Sequence, residues 1–466
     1  TSDPLDISSL QDIGYLSGYT VKPVVATRKQ IEAFINKYSG PMQDATEVIR
    51  EISSKKKAKE EKTQEEAIKD LKTAVHEAPI VKLVDSIISE AIDQRASDVH
   101  FEPQATGLFV RFRIDGVLYE RMTVPADLQP VVISRVKIIS GMDISERRRP
   151  QDGRLSVDSH GHNFDIRVST LPGIFGEKTV LRILDKETIL ISLDNLGLDA
   201  QELDLVTQLI RRPYGIILLT GPTGSGKTTT LYSILNTLNK STRNIITVED
   251  PVEYELARIH QTSINVRAGY TFATAIRHIL RQDPDIIMVG EIRDLETAEI
   301  AIQAAITGHL VLSTLHTNNA TGAVTRLTDM NVEPFLISSA VIGVIAQRLV
   351  RKLCPFCKAE YTATDALRNS LGDLLPEGSG PLLLAKPQGC EKCNNLGYIE
   401  RTGIFEILSV TDELRELILK KADEKDLTKA AVSAGMRTLR HSGTNRALGK
   451  ITSLEEVMRV TYLDKG

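Results

Sequence analysis

Three rhythms of apolar and polar positions follow one another along this chain. A short strand and helix (Val24-Val25-Ala26, then Arg28 to Asn36) lead into Asp44 to Lys72, which has few large apolar residues and dense mixed charge, including Lys55-Lys56-Lys57 and Glu60-Glu61-Lys62. That composition predicts a solvated linker, helical in part, with no chemistry of its own. From Pro79 the residues Val81, Val84, Ile87, Ile88, Ala91 and Ile92 recur at helical spacing. The period then drops to two. Leu108 to Ile114 alternates, meets the hairpin turn Asp115-Gly116 and returns in Val117 to Tyr119, while Asn163 to Thr170 and Lys178 to Leu184 bracket Pro172-Gly173-Ile174-Phe175-Gly176. From Leu196 to about Val350 short continuous apolar strands alternate with helices: Ile216 to Thr220, Ile245 to Glu249, Ile286 to Gly290 and Leu310 to Leu315. This third rhythm predicts a mostly parallel sheet covered on both faces. Arg401 onward reads as mainly helical, with Ser453-Leu454-Glu455-Glu456 as a capping box. The resulting division is 1–41, the tail of a truncated N-terminal domain; 42–78, a charged linker; 79–187, an α+β domain; 188–350, an α/β phosphate-loop domain; 351–400, a cysteine-bracketed insert; and 401–466, a helical C-terminal region.

The 466 residues exceed what one core organises, and 41% hydrophobic and 25% charged residues are ordinary globular values. A net charge of −4 gives no reason to expect nucleic acid as the main partner, although a local basic groove stays open. No apolar run reaches about 18 residues, so a soluble chain is expected. The start, Thr1-Ser2-Asp3, carries no signal-peptide pattern and reads as the interior of a longer product or of a trimmed one.

Candidate chemistry begins at Gly221-Pro222-Thr223-Gly224-Ser225-Gly226-Lys227-Thr228, a complete phosphate-binding loop between an apolar strand and a helix-like segment that continues with Thr229. Glycines let backbone N–H groups wrap a β-phosphate, and the helix N-terminus adds its positive dipole end. Lys227 reaches the β/γ-phosphates, and the Thr228 hydroxyl is placed to ligate Mg²⁺. The chain is therefore expected to use a nucleoside triphosphate.

Two acidic clusters end predicted strands, where ligands of open α/β sheets gather. In Thr247-Val248-Glu249-Asp250-Pro251-Val252-Glu253 one carboxylate is a candidate to orient or deprotonate the attacking water, the alternative being that Glu249 and Asp250 only cap the turn before Pro251. In Ile286 to Asp294 the place where most phosphate-loop enzymes keep a magnesium-shell Asp holds Gly290, and Glu291 stands next to it. Glu291 is thus a candidate to act on the metal through its waters or on the lytic water. His309 and His316, an odd separation apart, fall on opposite faces of a regular strand and are poor partners for one metal. His316 is a candidate to contact the γ-phosphate or an acid, or is an ordinary hydrogen-bonded histidine.

All four cysteines lie in Cys354-Pro355-Phe356-Cys357 and Cys390-Glu391-Lys392-Cys393. Two such knuckles without secretory features favour tetrahedral Zn²⁺, closed to catalysis, over disulfides, with a redox pair or metal-free thiols as the alternative. Arg167 and Arg182 interrupt apolar strands of the α+β domain; they either face solvent or act in trans on a neighbouring subunit's γ-phosphate. Arg277 and Arg281 stand four apart, on one helix face by this reading.

Together, the phosphate loop, Thr247 to Glu253, Arg281-Gln282-Asp283-Pro284-Asp285 running into Gly290-Glu291-Ile292-Arg293-Asp294, and Gly308 to Thr317 resemble the Walker A, aspartate-box, Walker B and histidine-box motifs of secretion ATPases. More closely, the chain resembles the bacterial type II secretion and type IV pilus assembly ATPases, including in Pro150-Gln151-Asp152-Gly153-Arg154, Ala346-Gln347-Arg348-Leu349-Val350 and the tetracysteine insert. Pilus retraction ATPases lack that insert. The resemblance implies a RecA-like phosphate-loop core preceded by a smaller PAS-like α+β domain, with ATP, Mg²⁺ and Zn²⁺ as cofactors. It implies a cytoplasmic homohexamer, peripheral at the inner membrane through platform proteins, that extracts pilins or pseudopilins. It makes Glu253 the general base, Glu291 the Walker B acid, and Arg167, Arg182, Arg277 and Arg281 the nucleotide-sensing arginines. Between machines, Ala323-Val324-Thr325-Arg326-Leu327 and Ile451 to Met458 lean towards secretion. A related ATPase moving nucleic acid, which DNA would stimulate, is the alternative; a scaffold binding ATP without turnover fits the full acidic set less well.

Overall fold

The computed structural model describes residues 78–159, 161–185, 191–375 and 382–461, with 24, 26, 27 and 75 besides. The strand and helix expected before residue 40 and almost all of the charged linker lie outside them. The chain divides into two compact units, residues 1–187 and 188–466.

In the first unit, six strands, β1 (Ala96–Gln104), β2 (Gly107–Ile114), β3 (Val117–Val124), β4 (Gln151–Ser159), β5 (His162–Gly173) and β6 (Gly176–Asp185), form one antiparallel sheet in the order β3-β2-β1-β6-β5-β4. Asp115 and Gly116 adopt the positive φ that a two-residue hairpin requires. Helix Ala78–Asp93 buries Val84, Ile87, Ile88, Ala91 and Ile92 of the expected stripe, with Ile80 and Leu83 buried beside them and Val81 only half-buried. The sheet's period of two then puts charge on a single face. Arg113, Asp98, Arg182, Arg167 and Arg154 stand directly opposite one another across β2, β1, β6, β5 and β4. Asp98 takes the guanidinium groups of Arg182 at 3.2 Å and Arg113 at 3.6 Å.

The second unit is built on seven strands: β7 (Gly215–Thr220), β8 (Ile245–Glu249), β9 (His260–Ser263), β10 (Ile286–Val289), β11 (Leu310–Leu315), β12 (Val341–Leu353) and, after a separate hairpin of β13 (Ala359–Thr362) and β14 (Leu383–Lys386), β15 (Tyr398–Ser409). Their order is β15-β12-β7-β11-β10-β8-β9, parallel except for β15 on β12. Ile216, Leu218, Ile287 and Val289 join the core under helices 272–279, 295–306 and 320–329, whereas Ile217, Leu219, Ile286 and Met288 join the one under helices 200–210 and 227–238. Strands β7, β8, β10 and β11 are thus apolar on both sides because both sides are covered, whereas the edge strand β9 is polar and partly exposed. This is the mostly parallel, doubly covered sheet expected from the third rhythm, and the RecA-like core that the resemblance implies.

The region after residue 400 departs from the helical expectation. Its first segment is β15, whose run Ile404, Phe405, Ile407 and Leu408 is buried, so the sheet extends into this region through an antiparallel edge strand. Four helices follow, Asp412–Leu419, Glu424–Ser433, Leu439–Leu448 and Leu454–Thr461. The capping box at Ser453 is half made: Ser453 Oγ accepts from the Glu456 N–H at 3.1 Å, but the Glu456 carboxylate is taken by Arg351 and Arg459. Among the described residues no helix is long and apolar enough to cross a membrane.

Candidate active site and metal centre

Strand β7 is buried throughout and ends at Thr220, whose hydroxyl lies 2.7 Å from that of Thr317 beyond β11. The phosphate loop follows, and helix Lys227–Leu238 starts at its end. Two glycines are required by contact as well as by conformation. Gly221 has φ +145° and a Cβ there would sit 2.5 Å from the Gln347 carbonyl; Gly226 has φ +87° and a Cβ would meet Gln347 Nε2 at 2.8 Å. Gln347, buried on β12, accepts from Thr230 Oγ1 at 2.7 Å and so packs strand β12 directly against the loop. Pro222, Thr223, Gly224 and Thr228 are exposed, Thr229 is half-buried and Ser225 is buried.

Lys227 folds back over the loop, its Nζ donating to the carbonyls of Gly221 at 2.7 Å and Pro222 at 3.1 Å. Burial, reinforced by Arg348 and opposed by Glu291, pulls its pKa down to about 8. The ammonium is held by neutral oxygens at the place where the loop would cradle phosphates.

Glu291 stands just past β10 with its carboxylate 16% exposed. Arg293 contacts one of its oxygens, and His316 Nε2 lies 3.5 Å from the other. His316 therefore meets an acid. His309 lies before β11, its Nδ1–H donating to the Ala304 carbonyl at 2.8 Å. Arg293 also approaches Asp250 at 4.0 Å, which links the two acidic clusters and was not singled out by sequence. The acids of the first cluster differ in situation: Glu249 is 4% exposed, whereas Glu253 is half-buried on the loop that leaves β8.

The arginine candidates are separated. Arg277 pairs with Glu296 at 2.8 Å, and Arg281 comes after helix Phe272–Ile279 has ended, so the two do not share one helix face as expected. Arg167 and Arg182 sit side by side in the charged row of the first unit.

The cysteines converge. The four sulfurs lie within 4.8 Å of one another, with Cys354–Cys390 and Cys357–Cys393 at 3.8 Å and Cys390–Cys393 at 3.7 Å. Four thiolates about 2.3 Å from one tetrahedral ion stand about 3.8 Å apart, so the donor set fits zinc. The N–H groups of Gly389 and Gly397 donate to Cys357 and Cys393, the second layer such a site needs. Leu371, Leu382 and Leu384 of the excursion pack on Ala447, Leu454 and Val457.

The model of the family described as Type II/IV secretion system protein matches residues 73–459, and that of the MshEN domain matches residues 1–45. The chain is 52% identical over 392 residues to the Type II secretion system ATPase E of Vibrio cholerae, covering 84% of this chain and 77% of that one. It is 45% identical over 467 residues to the Type IV pilus assembly ATPase PilB of Myxococcus xanthus, with 99% and 82% covered. The crystal structure of the pilus retraction motor PilT with bound ADP aligns at 29% identity and a TM-score of 0.51 over 80% of this chain and 95% of its own. The Legionella pneumophila ATPase DotB, 21% identical with a TM-score of 0.59 over 81% and 95%, shares the fold. With a family model spanning most of its length and relatives about half identical across more than four-fifths of it, this chain belongs to the type II/IV secretion system protein family and is a secretion ATPase.

Proposed function

We propose that this ATPase powers assembly of a pilus or pseudopilus, working as a cytoplasmic homohexamer that docks on inner-membrane platform proteins and acts indirectly on pilins or pseudopilins. The observation that carries the reading is the joining of phosphate loop, Glu291 and the Glu253 loop along the carboxyl edge of one parallel sheet. The loop amides and Lys227 bind the β- and γ-phosphates; Thr228, and Glu291 through water, would hold Mg²⁺, which when bound would neutralise charge developing on the phosphoryl group. Glu253 accepts the proton of the water that attacks the γ-phosphorus, and ADP leaves as the bond to its β-phosphate oxygen breaks. His316 and Arg293 orient Glu291. Arg167 and Arg182 reach the nucleotide of a neighbouring subunit, and Arg277 and Arg281 complete the sensing shell. Zn²⁺ held by Cys354, Cys357, Cys390 and Cys393 fixes the fold of the excursion. For the machine, alignment over 99% of the chain at 45% identity supports the pilus, while 50% and 52% identity over 84% of the chain with two secretion relatives, together with the lean of residues 323–327 and 451–458, supports secretion, so the proposal spans both.

Steady-state ATPase activity against protein concentration tests this reading, with Glu253→Ala and Arg182→Ala beside the parent. Specific activity should rise with assembly and collapse in both variants. Activity independent of concentration and indifferent to Arg182 refutes the shared site.

A further inference from the structure

Glu249 ends β8 and Glu253 lies on the loop that follows, and the Glu249 carboxylate is already engaged. Its Oε1 accepts from Thr247 Oγ1 at 2.6 Å and Gln261 Nε2 at 3.2 Å, and its Oε2 accepts from the Tyr232 hydroxyl at 2.5 Å. A carboxylate only 4% exposed and already holding three donors is closed to bulk water. Tyr232, itself 1% exposed, lies on the helix that the phosphate loop opens, five residues after Lys227. Its hydroxyl donates to Glu249 and accepts from the Glu253 backbone N–H at 3.4 Å, while its ring meets that of Tyr254 edge-on with centroids 5.9 Å apart. Burial and the adjacent carboxylate push the phenol well above its ordinary range, so it stays a donor at any working pH. Gln261 of β9 ties the same loop from the other side, its Nε2 donating to the Tyr254 carbonyl at 2.9 Å and its Oε1 accepting from the Leu256 N–H at 2.6 Å.

We propose that Tyr232, seated on Glu249, is a positioning residue for Glu253: one rigid phenol fixes the distance between the helix that carries the phosphate-binding Lys227 and the loop that carries the base. The inference rests on the reading of Glu253 as general base. Removing the hydroxyl while keeping the ring leaves nucleotide binding intact, since no atom of Tyr232 belongs to the phosphate loop, but lets the base drift. A displacement of about 1 Å in a reacting group is worth up to a hundredfold in rate.

The test compares Tyr232→Phe, Glu253→Gln and the double variant in the full chain, reading kcat, KM for ATP and the affinity of a fluorescent ATP analogue. Tyr232→Phe should lower kcat between about ten- and a hundredfold with analogue affinity within about twofold of the parent. The double variant should be no slower than Glu253→Gln alone, because a residue acting through the base adds nothing once the base is gone. Parental kcat in Tyr232→Phe beside an inactive Glu253→Gln overturns the positioning role and leaves the base. Multiplied losses in the double variant, or lost analogue affinity in Tyr232→Phe, also overturn it. Parental turnover in Glu253→Gln removes the base reading and the positioning role together. If Tyr232→Phe does not fold, Gln261→Met, which cuts the loop's other tie to Glu249, is read by the same criteria.

Discussion

Acid titration should expose how much of this molecule's C-terminal architecture hangs on one carboxylate. Glu456 is 1% exposed in helix Leu454–Thr461, yet it receives Arg351 Nη2 at 2.8 Å and Arg459 Nε at 2.8 Å, and accepts the Arg351 N–H at 3.2 Å. Burial alone would raise its pKa; the two guanidinium groups outweigh it and hold the acid at about 2, against an ordinary 4.5. That gap, at about 1.4 kcal/mol per pH unit, gives about 3.5 kcal/mol. Arg459 stands half in solvent, where screening weakens it, which brings the contribution nearer ~2 kcal/mol. Because the folded-state pKa is depressed, the stabilisation is complete above about pH 4.5, declines as pH falls through the interval to about 2, and is absent below it. Urea unfolding midpoints between pH 7 and pH 2 for the parent and Glu456→Gln should differ by the equivalent of about 2 kcal/mol at neutral pH and converge at the acid end. Two curves that run parallel through the whole interval would refute the reasoning.

Three further outcomes are expected. Parent protein should release one zinc ion per chain on denaturation with a chromophoric chelator, and Cys390→Ser with Cys393→Ser should carry none and become open to protease between Cys354 and Gly397; unchanged metal content would exclude the tetrathiolate site. Lys227, near pKa 8 while its ammonium meets only carbonyls, should regain its proton when phosphates arrive. Calorimetry of ATP binding in buffers of different ionisation enthalpy should then show proton uptake approaching one per site above pH 8 and almost none at pH 7. Thr230→Val leaves the buried Gln347 carbonyl oxygen without its hydroxyl donor and should cost about 1–3 kcal/mol in urea unfolding, with a raised KM for ATP as the loop loses its backing.

What was readable in the sequence follows the range of the interaction that fixes each feature. The phosphate loop was legible because its geometry is local, a strand, two glycines that must pack against a neighbour, and a helix start within a dozen residues. The buried strands were legible because coverage on both faces leaves no polar alternation. Strand β15 was not: Ile404, Phe405, Ile407 and Leu408 fit a buried helix turn or a buried strand equally well, and only pairing with β12, more than fifty residues earlier, decides between them. The capping box at Ser453 failed for the same reason, since Arg351, 105 residues away, competes for the Glu456 carboxylate. Arg293 escaped notice because its two partners, Glu291 and Asp250, sit at the ends of different strands.

Strand β12 shows why the distant features belong to one structure. In its 13 residues it places Gln347 against the phosphate loop, Arg348 on Asn318 just after the Thr317 that meets Thr220, and Arg351 on Glu456, and it runs directly into Cys354. It is hydrogen-bonded in parallel to β7 along Val341 to Ala346 and antiparallel to β15 from Gly343 to Leu353, so its backbone cannot slide as a whole without breaking both ladders. The cysteine excursion and the last helix are therefore anchored on the same rigid element that backs the nucleotide site. A variant that loosens Glu456 should for that reason raise the KM for ATP along with lowering stability, whereas breaking the exposed pair between Lys352 of this strand and Glu400 of β15, whose side chains stand in solvent, should change neither.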